Sequence, residues 1–292
     1  MVNRICSMAM LGAALGICLA ALLAGLSPGL ISRLSSSSLA APAGLAAPAG
    51  LAAPAGNDPA MRSMSAGGLT TMTAGETELR VYRRSPAGEG TWPAVVVLPD
   101  GWGLTQTFQR ALDRMADRGF IVVALDISGG KVARDADKAR EMGILVNQES
   151  AIEGTMALVH HLKFQREVGD HRVGILGFGA GAGIALRAAM RSDETSALAA
   201  VYPTATPDAG ALRRVACPIL AVFGGSDTLI PKPTAEAFRA TLEEAGRTAD
   251  VRIYDGGGHG FMNEDAPDHN AAVAADAWSL VTSFLQDRLQ GR

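Results

Sequence analysis

The chain has 292 residues, 48% of them hydrophobic and 19% charged, and its 26 basic against 29 acidic side chains give a net charge of −3. That balance suits a globular protein with a core and excludes disorder throughout. With no basic run anywhere, there is no electrostatic reason to expect a nucleic-acid partner.

The first predicted element is a charge-free run of 19 residues, Met8 to Leu26, preceded by Arg4. It has the form of an export signal with a long apolar region and nearly the length needed to span a bilayer, so residues 1–38 read as signal peptide or membrane anchor. Ser38-Leu39-Ala40 offers a small-x-small cleavage site, and the bulky Ile17 before Cys18 argues against a lipoprotein site. Leu39 to Gly56 is three copies of LAAPAG. Such a tract buries little and stays extended, which makes residues 39–66 a linker. Beyond residue 40 the chain carries 24 basic and 29 acidic residues, a charge of −5, and Cys217 as its one cysteine. An exported domain of this kind cannot close an internal disulfide, so packing must stabilise it. The expected location is periplasmic or secreted, with membrane contact only through an uncleaved N-terminal segment.

Residues 67–292 are enough for one large α/β core. Thr77–Arg84 alternates like a strand with one wet face, whereas Pro93–Leu98 and Phe120–Leu125 are continuous apolar runs, as in strands covered on both faces. A helix is expected over Gln106–Arg118, with further helical stretches near Val132–Arg140 and Gln148–Gln165. Strand Val173–Leu176, a helix from Gly181 to about Arg191, and strands Ala197–Tyr202 and Pro218–Phe223 follow. A helix after Pro231 and Pro233, strand Val251–Tyr254 and a closing helix from about His269 to Leu289 complete the pattern. Alternation of this kind implies a mostly parallel sheet with helices on both faces.

In such sheets chemistry gathers at the carboxyl ends of the strands. Those ends read Pro99-Asp100-Gly101-Trp102-Gly103-Leu104, Asp126, Gly177-Phe178-Gly179-Ala180-Gly181, Ser226-Asp227 and Gly256-Gly257-Gly258-His259-Gly260-Phe261. Three of them stand in the chain order nucleophile, acid, histidine, the order of an α/β hydrolase.

These stretches, together with the strand and turn Cys217–Pro231 and the late Ala277–Leu285, resemble the dienelactone hydrolase family from about Thr77 to Leu289. The resemblance implies an α/β-hydrolase fold and a small-molecule ester or lactone as substrate. It also implies a triad in which Asp227 matches the acid, His259 the histidine and Gly179 the position of the serine or cysteine nucleophile. The N–H groups of Gly101 and Ala180 match the oxyanion pair, and Asp100 matches an acid after the third strand. Where the family places arginines for the dienelactone carboxylate, Asn263 stands at one position and Lys131 lies only near the other, which argues against dienelactone itself.

An acyl intermediate needs an oxygen or sulfur activated by the imidazole, and glycine offers neither. The elbow does explain why glycine fits, because its central residue has φ above zero and strains any other residue by about 1–3 kcal/mol. Cys217 opens its strand, roughly 20 Å from the end bearing Asp227 at about 3.3 Å per residue, and reads as a buried core thiol. Ser226 belongs to a tight turn. No displaced nucleophile is expected.

Plainer readings stand beside these. Asp227 and His259 also fit a structural pair, and Asp100 a side-chain cap on the turn at Gly101. Trp102 and Phe261 fit pocket walls or loop packing equally. His160 and His161, about 100° apart on a helix, do not chelate one metal. The group His259, Glu264, Asp265, Asp268 and His269 lacks an established ligand spacing. Gly177-x-Gly179-x-x-Ala182 also fits a relaxed dinucleotide fingerprint, but the next strand end, Ala200-Val201-Tyr202-Pro203-Thr204, lacks the acid that would bind ribose. No cofactor or metal is expected. The sequence thus points to a pseudo-hydrolase or binder of a small ester, lactone or carbonyl compound. The rival is a slow hydrolase whose water is activated by His259 and Asp227.

Overall fold

The computed structural model describes residues 67–168, 172–205 and 207–290. The readings of residues 1–38 as signal or anchor and of 39–66 as linker fall outside them. Strands β1 (Gly68–Ala74), β2 (Thr77–Arg84), β3 (Ala94–Leu98), β4 (Ile121–Leu125), β5 (Val173–Phe178), β6 (Ala197–Val201), β7 (Ile219–Gly224) and β8 (Ala249–Tyr254) form one sheet in the order β1-β2-β4-β3-β5-β6-β7-β8. From β4 to β8 every neighbouring pair is parallel, and β1 and β2 join antiparallel at one edge. This is the α/β-hydrolase sheet expected from the sequence.

The pattern of burial explains why the central strands are legible as apolar runs. Every residue of β3 to β7 is buried, because helices cover both faces. Each fully buried Val, Ile or Leu there stabilises the fold by about 1.5–3 kcal/mol. Helices α1 (Gln106–Ala116), α2 (Ala136–Leu145), α3 (Gln148–Lys163), α4 (Ala180–Arg191), α5 (Ala209–Leu212), α6 (Lys232–Glu244) and α7 (Ala271–Leu289) connect or follow the strands. α3 and α4 pack together against the sheet. α1 is linked to α7 by Phe108 and Trp278, which both contact the Phe178 ring, and by a bond from Arg118 beyond α1 to Thr282.

Several boundaries differ from expectation. β1 is absent from the sequence reading; a two-residue hairpin at Gly75-Glu76, with Gly75 at φ 64°, pairs this threonine-rich edge strand with β2. The helix expected near Val132–Arg140 begins later, at Ala136, because the Asp135 side chain caps it by accepting from Lys138 N. The closing helix likewise starts at Ala271, capped by Asn270. The short α5 carries no periodicity that its four residues could reveal. Cys217 is buried as expected, with its thiol pushed up to about 11 by desolvation. Among the described residues no helix is long and apolar enough to cross a membrane.

Candidate active site

Gly179 occupies the turn between β5 and α4 with φ 51° and ψ −116°. Its N–H donates to Val201 O at 2.9 Å, tying the turn to the adjoining strand. A Cβ on Gly177 would lie 2.6 Å from the Ala182 backbone, and one on Gly181 2.4 Å from Pro99 O, so both flanking glycines are required for strand and helix to meet. At Gly179 a Cβ would come within 3.2 Å of Asp100 Cβ and 3.8 Å of Tyr202 Cδ2. The turn therefore has the strained elbow backbone together with a crowded but usable place for a side chain.

Asp227, in the turn after β7, is buried. Its Oδ1 accepts from Leu229 N and Ile230 N, each at 2.8 Å, and its Oδ2 lies 2.9 Å from His259 Nδ1. The two backbone donors hold the carboxylate in one orientation. With the Nδ1 proton donated to Asp227, His259 keeps the lone pair on Nε2, the tautomer a general base requires. Its side chain is 27% exposed, so the imidazole is reachable from the surface.

The loop that presents His259 is itself stapled. Asn263 Nδ2 donates to Asp100 Oδ2 at 3.1 Å, Thr105 Oγ1 to Asp265 Oδ2 at 2.6 Å, and Arg114 pairs with Glu264 at 2.8 Å. His269 Nδ1 bonds Phe261 O. The acids and histidine of this loop thus have structural work, and no group of three metal-ligand types converges among the described residues.

Asp100 bonds in two directions. Its Oδ1 caps the turn by accepting from Trp102 N at 3.0 Å, while Oδ2 reaches the histidine loop through Asn263. Burial pushes this carboxyl above the usual carboxylate range, opposed by the bonds from Asn263 and Trp102 and by the charge of His259. The N–H of Ala180, first in α4, and that of Gly101 are engaged with no partner among the described residues. A helix N-terminus favours developing negative charge, which suits the expected oxyanion pair.

The two aromatic residues read as pocket wall or loop packing have different surroundings. Phe261 is fully buried and makes an edge contact with the Tyr202 ring and a tilted one with the Tyr254 ring. Trp102 packs on Ala133, Ala139 and Met142 under the segment that leads into α2. Lys131 acts through its backbone, accepting from Ser128 Oγ.

Tyr202 is the residue that sequence reasoning passed over. It follows β6 with φ 37°, the one non-glycine residue with positive φ among the described residues. This conformation sets its ring 5.6 Å from the His259 ring, with Cδ2 toward Gly179, so one aromatic plate floors both. The strand-end rule reaches it, because Tyr202 follows the last residue of β6. Its hydroxyl is buried without a hydrogen-bond partner among the described residues, and burial, then Asp100 and Asp227, hold it protonated. Tyr202→Phe removes a donor that satisfies nothing in the fold. The expected result is a stability unchanged or raised by about 1 kcal/mol in urea unfolding; a loss above about 1 kcal/mol would mean that the hydroxyl has a structural partner.

A search of family descriptions matches residues 79–289 to the dienelactone hydrolase family. The chain belongs to that family. A Salmonella typhimurium member provisionally named carboxymethylenebutenolidase is 26% identical over 236 residues, covering 76% of this chain and 87% of that protein. Among solved structures, a provisionally assigned dienelactone hydrolase from Klebsiella pneumoniae superposes with TM-score 0.66 at 20% identity, covering 76% of this chain and 98% of that one. A dienelactone hydrolase-like promiscuous phosphotriesterase from metagenomic libraries also gives 0.66, at 22% identity, 77% and 98%. At such identities the superpositions establish the family fold alone.

Proposed function

We propose that this protein retains the binding cleft and proton-handling couple of an ester or lactone hydrolase while Gly179 stands in place of the attacking residue. The observation carrying this is the elbow backbone, φ 51° and ψ −116°, at a residue with no side chain. Without an oxygen or sulfur at that point no acyl intermediate forms, and the cleft binds a small ester, lactone or carbonyl compound. The lactonase-type name of the Salmonella relative supports that ligand class.

A second reading rests on the His259–Asp227 pair at 2.9 Å, which leaves Nε2 as a base. Water taken up above Gly179 would then attack the carbonyl directly, with Ala180 and Gly101 N–H groups stabilising the oxyanion. Loss of the covalent route makes this slow. Turnover of 4-nitrophenyl acetate by the full-length protein separates the two. The expected result is background hydrolysis and no acyl adduct by mass spectrometry; slow turnover abolished by His259→Ala selects the water route, and an acyl adduct on the unaltered protein refutes both.

Export belongs to the same proposal, on the strength of the charge-free run Met8 to Leu26 and the LAAPAG tract behind it. Fractionation of expressing cells and N-terminal sequencing of the mature protein test it: a cytosolic, unprocessed chain refutes it.

A further inference from the structure

Helix α2 lies against the two residues expected to receive an oxyanion. A Cβ on Gly101 would run into the Ala139 carbonyl oxygen. One on Gly143 would stand 3.7 Å from both Gly101 Cα and Ala180 Cβ, and 4.0 Å from Gly101 N. Ala139 and Gly143 are i and i+4 of one helix, so a single face of α2 covers Gly101 and Ala180 together. His259, by contrast, is reached from the surface. The cleft is closed on its oxyanion side, and a carbonyl brought to Gly101 and Ala180 must take the place of α2.

Little holds α2 there. Its buried side chains, Ala139 and Met142, pack with Ala133 and Trp102 in a small cluster apart from the main core. Among the described residues its side-chain bonds stay within the segment: Asp135 caps it, Lys138 pairs with Glu141, and Arg140 with Asp137. Gly143 adds a poor helix former to the last turn, although a methyl group there would meet only ordinary contacts. Ahead of the segment, Gly129 and Gly130 at φ 64° and 81° give the chain two adjoining pivots. An element with few buried side chains and self-contained bonds opens locally at low free energy.

The inner face of α2 carries no charge. Its ion pairs are exposed, whereas Ala139, Met142 and Gly143 turn toward Gly101, Trp102 and Ala180. Val132, Ile144 and Leu145, three of the six exposed large apolar side chains among the described residues, flank the same helix. An apolar ligand that displaces α2 therefore exchanges one apolar contact for another. A charged one would be desolvated against Trp102 and Met142, which offer it no partner.

Resting on the reading that the cleft takes a carbonyl compound, we infer that α2 is a lid, which lifts from Gly101 and Ala180 to admit a neutral, apolar ester or lactone. Hydrogen exchange of the full-length protein reads the lid without any ligand. The α2 amides are expected to exchange at least about 100-fold faster than those of α4, and equal protection overturns the lid. Positions 143 and 180 also allow a lock, because Cβ atoms 3.7 Å apart suit a disulfide. In the full-length double variant Gly143→Cys/Ala180→Cys, oxidation is expected to weaken binding of methyl hexanoate in isothermal titration at least about tenfold. Dithiothreitol reverses the loss, and neither treatment moves wild-type binding. A disulfide that does not form, or one confirmed by intact mass that leaves binding unchanged, overturns the lid. The wild-type protein is expected to bind methyl hexanoate at least about tenfold more tightly than monomethyl adipate, an anion. Equal or tighter binding of the anion overturns the neutral ligand class. If neither ester binds the wild-type protein, the cleft reading falls with that class, and exchange alone decides the lid.

Discussion

Gly179→Ser gives a full-length protein that hydrolyses 4-nitrophenyl acetate at least about 10³-fold faster than wild type and accumulates an acyl-enzyme. On the proposed reading the other parts of the site are these. His259 carries its Nδ1 partner Asp227 at 2.9 Å, the carboxylate is fixed by two backbone donors, and the elbow holds residue 179 at φ 51°. The Tyr202 ring borders both the imidazole and the place the new Cβ takes. The gain in rate comes with a loss in stability. A serine at this φ costs about 1–3 kcal/mol, and its Cβ, 3.2 Å from Asp100 Cβ, makes Asp100 give by a few tenths of an ångström. For a domain of this size a loss of that order lowers the melting temperature by roughly 2–10 °C. Burst kinetics, intact mass and thermal melting report all three effects. A folded variant without an acyl adduct would mean that His259 and residue 179 do not meet in solution.

Adding Asp227→Asn to Gly179→Ser removes most of that activity, by about 10³–10⁴-fold, with little change in stability. The asparagine oxygen still accepts from Leu229 N and Ile230 N, so the turn after β7 survives. Its amide nitrogen then faces His259 Nδ1 as a donor. That forces the proton onto Nε2, and the imidazole can no longer accept from the serine. Asp227→Ala lowers stability as well, because the buried N–H of Ile230 loses its acceptor at a cost of about 1–3 kcal/mol. Equal activity in the asparagine and aspartate forms would assign Asp227 a packing role only.

How legible the site was depends on the kind of interaction. Asp227 and His259 could be paired from the sequence because each stands at a strand end, in the chain order and motifs that resemble the family's acid and histidine. The Asp100–Asn263 bond joins residues 163 positions apart, and local patterning carries no trace of it. Phe261 illustrates the opposite limit. Its place beside His259 fits a pocket wall and loop packing equally, and only the contacts of Tyr202 and Tyr254 with its ring show that it is buried. Tyr202 was hidden by its backbone: a non-glycine residue at φ 37° is held there by contacts around it, including its own N–H to Val222 O, rather than by local propensity.

By itself the sequence determined the sheet's buried strands, the family, the glycine at the elbow and the acid and histidine at two strand ends. The strands are written in continuous apolar runs and the glycine in turn chemistry, while the family, the acid and the histidine are read from motifs that resemble the family's. The tertiary structure alone decided the orientation of Asp227, the aromatic floor under His259 and the tie between Asp100 and the histidine loop. Those features depend on distances between segments far apart in the chain, and such distances are set when packing closes the core.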